Sequence, residues 1–167
     1  LQGQLSCDLS DLSEYDSCLG CLCDNKGRVV ASFTVWKLAN VFYMEMESGV
    51  AAIAEQHLKK YSVFYKSEIT IQNDAFYRTG LIGTETLQYL KDLFPKLPTL
   101  ENQVEMSDGN FLRMTDLKNK RYEFWQSKSF NSPNPFSSDS KFVEGTLENW
   151  KLLDQQVGLY RLQAEDT

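Results

Sequence analysis

Residues 18–46 leave this chain few options. They run Cys18-Leu19-Gly20-Cys21-Leu22-Cys23, then Asp24-Asn25-Lys26-Gly27-Arg28, then a β-branched and aromatic run from Val29 to Trp36, then Lys37-Leu38-Ala39-Asn40, then Val41-Phe42-Tyr43-Met44-Glu45-Met46. Asp24 to Gly27 are residues that tolerate positive φ and bond back to their own backbone, so the chain reverses there. A second reversal falls at Leu38-Ala39-Asn40. After it Phe42, Met44 and Met46 alternate with Tyr43, Glu45 and Glu47, the period of a strand with one side buried. Three consecutive strands joined by tight turns make an antiparallel meander.

The rest of the chain has to cover that meander. With 167 residues and 42% hydrophobic content it can build a core. The net charge of -6, from 17 basic and 23 acidic residues, sets up a field that repels phosphate, so direct nucleic-acid binding is not favoured. No apolar run approaches the roughly 20 residues that span a bilayer, and no basic-then-apolar leader is visible; a cytoplasmic protein without a membrane partner is expected. The first residue is Leu1, inside what reads as a helix-to-loop motif, so the chain is expected to be part of a longer one.

Along the chain, 2–16 reads as a helix end and an ordered loop. Ser48 is placed to cap a helix over 49–61, with Val50, Ile53, Ala54, His57, Leu58 and Tyr61 on one stripe. His57, the only histidine, falls on or beside that stripe as a border residue, which rules against Ser-His-Asp or Cys-His catalysis. Alternation over 63–71 predicts a strand. A second unit follows: a strand over 76–82, Thr84 as cap, a helix over 85–94, strands over 103–107 and 111–115 around Asp108-Gly109, and a strand over 121–126. Gly80-Leu81-Ile82-Gly83 lacks the third glycine of a dinucleotide fingerprint and reads as close backbone packing. A Ser/Asn/Pro-rich loop spans 127–141. Thr146 caps a last helix through Val157, with Leu147, Trp150, Leu152, Leu153 and Val157 as its apolar side and Gly158 just past its end.

Four cysteines, Cys7, Cys18, Cys21 and Cys23, sit in the first quarter of the chain. On a strand Cys21 and Cys23 share a face while Cys18 points away, whereas tetrahedral sites use turns that fold sulfurs together. Buried reduced thiols and no bound metal are expected.

Three runs carry a resemblance. Asp24-x-Lys26-Gly27-Arg28, with the strand ending Trp36-Lys37-Leu38, resembles the YgfZ family, folate-binding relatives of the aminomethyltransferase (T-protein) of glycine cleavage. Leu1-Gln2-Gly3-Gln4-Leu5-Ser6-Cys7-Asp8-Leu9 is similar to that family's opening Q-G-Q-[LV]-T-x-D-[LV]. Leu58-Lys59-Lys60-Tyr61-Ser62-Val63-Phe64-Tyr65-Lys66 is similar to its L-K-[KR]-Y-x-x-F-x-K. Trp150 to Leu162 matches W-x-x-x-x-I-E-A-G-x-P more loosely, with Gln156 and Tyr160 where Glu and Pro are usual. The resemblance implies an α+β fold of two antiparallel sheet-and-helix lobes like the T-protein folate-binding fold, over 1–72 and 73–167, the second a split β-α-β, ferredoxin-like unit.

It also implies tetrahydrofolate or another reduced folate as ligand, with iron-sulfur proteins or tRNA-modifying enzymes as partners. The cleft wall would consist of Gln2, Gln4 and Asp8 on the opening loop with Arg28 and Ser32 on the hairpin. Amides and a carboxylate suit a pterin ring, and a cation suits the glutamate tail. Backbone bonding within the loop suits Gln2 and Gln4 equally, and a solvated face suits Arg28 and Lys26. The aminomethyltransferases carry V-D-D-[LT]-[IV]-V where this chain has Val30-Ala31-Ser32-Phe33-Thr34-Val35. Neither Ala31 nor Ser32 is a carboxylate base, so no catalytic residue is assigned and the expectation is an accessory protein. The alternatives are a tetrahydrofolate-dependent transferase and an interaction domain that has lost its ligand. The family's K-G-C-[FY]-x-G-Q-E loop lies beyond the last residue, so the chain alone is expected to hold folate weakly.

Overall fold

The computed structural model describes residues 2–130, 135–136 and 142–163, and the side chains of all of these but Gln2, Tyr65 and Phe130. The fold is α+β with two antiparallel sheets, and the chain divides into two units, Leu1–Asn73 with Tyr160–Thr167 and Asp74–Leu159. Tyr160–Thr167 group with the first unit instead of continuing the second.

In the first unit the expected meander forms: β1 (Ser17–Cys23), β2 (Val29–Leu38) and β3 (Val41–Glu45), in that spatial order. Gly27 takes φ 78° and donates its N–H to the Asp24 carbonyl at 3.0 Å, closing the first turn where a side chain would be strained. Trp36 pairs with Tyr43 and Leu38 with Val41 across the second. Ala31, Phe33 and Val35 point one way from β2 into a core with Leu5, Leu9, Leu22, Val50, Ala54 and Leu58. Each of the leucine, valine and phenylalanine side chains among them, fully buried, contributes roughly 1.5–3 kcal/mol.

Helix α1 (Ser48–Tyr65) presents Val50, Ala54 and Leu58 to that core. Two expectations change here. Glu47, not Ser48, occupies the cap position, without a side-chain bond. No strand forms over 63–71, because the helix runs on to Tyr65 and ends at Lys66 in the left-handed region, leaving Val63 and Phe64 about 80% exposed. A helix already nucleated gains a bond for each residue it adds, whereas a strand there would need an edge to pair with. His57 is half-buried and packs beside Tyr61.

The second unit has β4 (Phe76–Ile82), α2 (Thr86–Leu93), β5 (Val104–Ser107), β6 (Asn110–Asp116), β7 (Arg121–Ser127) and α3 (Leu147–Gln156). The sheet order is β4-β7-β6-β5 with every neighbour antiparallel. The split β-α-β pattern therefore takes the form of a helix joining the two edge strands, with β7 and β6 between them. Asp108 and Gly109 both adopt positive φ between Ser107 and Asn110, the two-residue hairpin their sequence predicts. Thr84 does not cap α2. Glu85 holds that position, and the Thr86 hydroxyl donates to the Gly83 carbonyl at 2.6 Å. One sheet face packs Leu81, Leu112, Met114, Tyr122 and Phe124 against Leu90 of α2 and Phe94 just past its end, and Phe136 from the Ser/Pro-rich loop joins them. Residues 131–134 and 137–141 of that loop lie outside the described residues.

The other face is charged. Glu123, fully buried, accepts from Arg78 at 2.5 Å and from buried Arg113, and both guanidinium groups lie 5.7 Å from the Trp125 ring. Arg121 lies 3.9 Å over the Trp150 ring and pairs with Asp154. Helix α3 is thereby turned differently from its expected apolar side: Trp150 and buried Asp154 face inward, while Leu147, Leu152 and Val157 are exposed. A buried arginine requires an anion, and that requirement outweighs three exposed aliphatic side chains. Thr146 does cap α3, accepting from the Asn149 N–H at 3.2 Å. At Gly80 an added Cβ would lie 2.4 Å from the Trp150 ring, so close packing explains that glycine.

Removing one member of a buried ion pair leaves the other uncompensated. Glu123→Gln is therefore expected to destabilise the protein by about 3–5 kcal/mol. The measurement is urea unfolding, where an unchanged midpoint would contradict the burial of this carboxylate.

Candidate functional site

The face of the first sheet opposite its core carries the side chains that differ most from an inert surface. Because register is period two, Ser32, Thr34 and Trp36 of β2 share this face with Cys21, Leu19 and Ser17 of β1 and with Glu45 and Tyr43 of β3. Trp36 and Tyr43 stack at 5.8 Å with their planes 9° apart.

Two segments distant in sequence reach this sheet. The opening segment makes a single short 3-10 turn at Gln2–Gln4, pairs Leu5 with Leu22, and donates the Ser6 N–H to the Cys21 carbonyl at 2.9 Å. The Ser6 hydroxyl accepts the Cys21 N–H at 2.8 Å. Both peptide groups of Cys21 are thus engaged away from β2. Cys21 and Ser32 form the non-hydrogen-bonded kind of cross-strand pair, in which Cα atoms approach to about 4.5 Å and side chains are closest. At the other end of the chain, the Leu162 N–H donates to the Ser32 hydroxyl at 2.7 Å and Arg161 pairs with Glu45.

Of the residues expected at a ligand wall, Ser32 is half-buried on this face and Gln4 is half-buried on the turn that leads into Leu5. The Gln2 side chain lies outside the described residues. Asp8 is exposed and accepts from Ser10 through both its hydroxyl, at 2.5 Å, and its N–H, at 2.8 Å. Those bonds, the hydroxyl first, hold its carboxyl below the usual aspartate range. Arg28 is exposed at the hairpin end, where its Nε donates to Asp24 at 2.8 Å. The fold brings Ser32 together with the opening segment, but through Ser6 and Cys21. Asp8 and Arg28 each close on a near neighbour in sequence.

Ala31 is fully buried in the core. Ser32 offers a hydroxyl. Glu45 is the carboxylate of this face, and Arg161 holds it as an ion pair. The remaining groups are thiols. All four cysteines are half-exposed, not buried as expected. Cys21 and Cys23 share a face, with sulfurs 3.8 Å apart, while Cys18 turns the other way toward Cys7. Burial, and then the Cys7 thiol, push Cys18 up to about 12. Burial, followed by the bond to Cys21, raises Cys23. Neutral hydroxyls, thiols and an amide can bind a polar ring. Ser6, Cys21 and Leu162 were not among the expected site residues. The alternation of Cys21-Leu22-Cys23 is legible in sequence; the approach of Ser6 and Leu162 is not.

No protein-family model matches the chain. It is similar to the tRNA-modifying protein YgfZ of Photorhabdus laumondii subsp. laumondii, 31% identical over 168 aligned positions that cover 100% of this chain and 50% of the relative. It is equally similar to that of Hamiltonella defensa subsp. Acyrthosiphon pisum, 31% identical over 99% of this chain and 49% of the relative. Against that of Edwardsiella ictaluri it is 33% identical over 98 residues. The chain spans about half the length of the first two of these curated relatives.

The hairpin end offers a direct check on local electrostatics. Asp24 accepts from the N–H groups of Lys26 and Arg28 and from the Arg28 side chain; the bonds from Arg28, backbone first, lower its carboxyl below the ordinary aspartate value of 3.8. A depressed folded value means that the turn's contribution is complete above the unfolded carboxylate range and is lost as pH falls through the lowered one. Carboxyl titration by NMR is expected to place Asp24 below 3.8. A midpoint at or above that value would show the turn open in solution.

Proposed function

The chain belongs to the YgfZ family, and on that premise we propose that it is a folate-binding accessory protein serving tRNA modification. By family resemblance it is linked to the upkeep of iron-sulfur enzymes, and it does not turn over folate. One observation carries the distinction between binding and turnover. At the two β2 positions where aminomethyltransferases carry carboxylates, Ala31 is buried in the core and Ser32 presents a hydroxyl already engaged by a backbone N–H. Methylene transfer needs a group that exchanges a proton near neutral pH, and a serine hydroxyl beside thiols does not supply one.

The proposed contacts are Gln4 and Ser32, with Gln2, Asp8 and Arg28 at the margin. The local partners of Asp8 and Arg28 support giving these two a smaller share, since each must surrender an internal bond before it meets a ligand. A handful of polar contacts, each contributing about 1 kcal/mol, corresponds to a dissociation constant of about 1 mM for reduced folate on this chain. The same internal pairing favours a second reading, an interaction domain without folate.

Calorimetric titration with tetrahydrofolate separates the two. Weak saturable binding that Ser32→Ala reduces several-fold supports the folate reading, and no heat at any attainable concentration supports the interaction domain. Tetrahydrofolate-dependent release of a one-carbon unit by the unaltered chain would overturn the accessory role.

A further inference from the structure

We propose that Cys21 and Cys23 form a bidentate thiolate site for a soft divalent d10 cation of the zinc and cadmium class. The remaining coordination positions are left to water or an incoming ligand. This goes beyond the folate reading and does not depend on it.

The geometry carries the proposal. Two sulfurs each about 2.3 Å from a tetrahedral centre lie about 3.8 Å apart. The Cys21 and Cys23 sulfurs are 3.8 Å apart with no ion between them, so the chelate closes without backbone movement. A disulfide would have to draw the same sulfurs to about 2.05 Å between alternate residues of an extended strand, which the backbone resists. The strand is fixed on both sides, by the β2 ladder and by Ser6, which holds the Cys21 N–H and C=O. Ser6 thus aims the Cys21 thiol, and Cys23 follows it across a register shift between Leu22 and Cys23 with its sulfur still 3.8 Å away.

Ser6 has a further role. Its hydroxyl oxygen lies 3.2 Å from the Cys21 sulfur and already accepts the Cys21 N–H, so its own proton is available to donate to a thiolate there. Such a donor orients and stabilises a metal-bound sulfur. Binding is balanced as two thiols plus one divalent cation giving a neutral bis-thiolate complex and two protons released to solvent. Among the described residues no group of three or more His, Cys, Asp or Glu side chains converges on a common centre. The proposed site thus has two protein ligands, and an ion held there would exchange with solvent. The half-exposed sulfurs give an ion a path in. The Cys7 and Cys18 thiols, on the other side of β1, serve as an internal control.

The test is titration of the reduced chain with cadmium alone, followed by the thiolate-to-cadmium charge-transfer absorbance. One cadmium per chain with the intensity of two thiolates is expected. Cys21→Ser and Cys23→Ser should each halve the band and weaken binding at least about tenfold through loss of the chelate, while Cys7→Ser leaves both unchanged. No saturable band, a full band in Cys21→Ser or Cys23→Ser, or loss of the band in Cys7→Ser would overturn the site. A second measurement needs no substitution: zinc should protect Cys21 and Cys23, but not Cys7, from alkylation mapped by mass spectrometry. Equal alkylation with and without zinc would also overturn it.

Discussion

A carboxylate wholly removed from water, Glu123, dictates the arrangement of the second unit. A buried anion is tolerated only with cations and hydrogen bonds on its oxygens, and Arg78 and Arg113 supply them from β4 and β6, the strands on either side of β7. Trp125 adds its ring beside both guanidinium groups. With that face committed to charge, the aliphatic and aromatic cluster around Leu112, Met114, Tyr122 and Phe124 lies on the other, where α2 covers it. The same logic reaches α3, whose Asp154 answers Arg121 and whose Trp150 fills the space left by Gly80. Such a network contributes little net stability over a well-packed apolar face, and what it enforces is one register of β4, β6 and β7.

In the first unit the corresponding constraint is apolar. β2 lies between two strands and buries side chains on both its faces, so its odd residues meet α1 with Leu5 and Leu9, while Ser32 on the even side meets the returning segment. The candidate site is a consequence of that division. Ser32, Cys21 and Glu45 share a face because register leaves them no other, and Ser6, Arg161 and Leu162 then satisfy them.

The chemistry of this surface is that of hydroxyls and thiols. On β2 this chain has a core methyl at Ala31 and a bonded hydroxyl at Ser32, and the Glu45 carboxylate on that face is held by Arg161. Groups of this sort recognise a ligand by shape and hydrogen bonds. The thiol pair beside them adds an affinity for soft ions that neither hydroxyls nor amides provide.

By itself the sequence determined the local elements: the meander and its turns, β4, the Asp108-Gly109 hairpin, the Thr146 cap and the sharing of a face by Cys21 and Cys23. Each rests on interactions within a few residues, which periodicity and turn chemistry report directly. Only the structure showed that 63–65 continue a helix, since alternation over a few residues does not say whether a strand will find a partner edge. It also decided the rotation of α3, since Asp154 is a surface residue by composition and becomes an inward one only when Arg121 stands opposite. And it assembled Ser6, Cys21, Ser32 and Leu162, which span most of the chain length, by hydrogen bonds whose donors and acceptors are mostly backbone groups. Every residue carries those groups, so no pattern of side chains announces where they will meet.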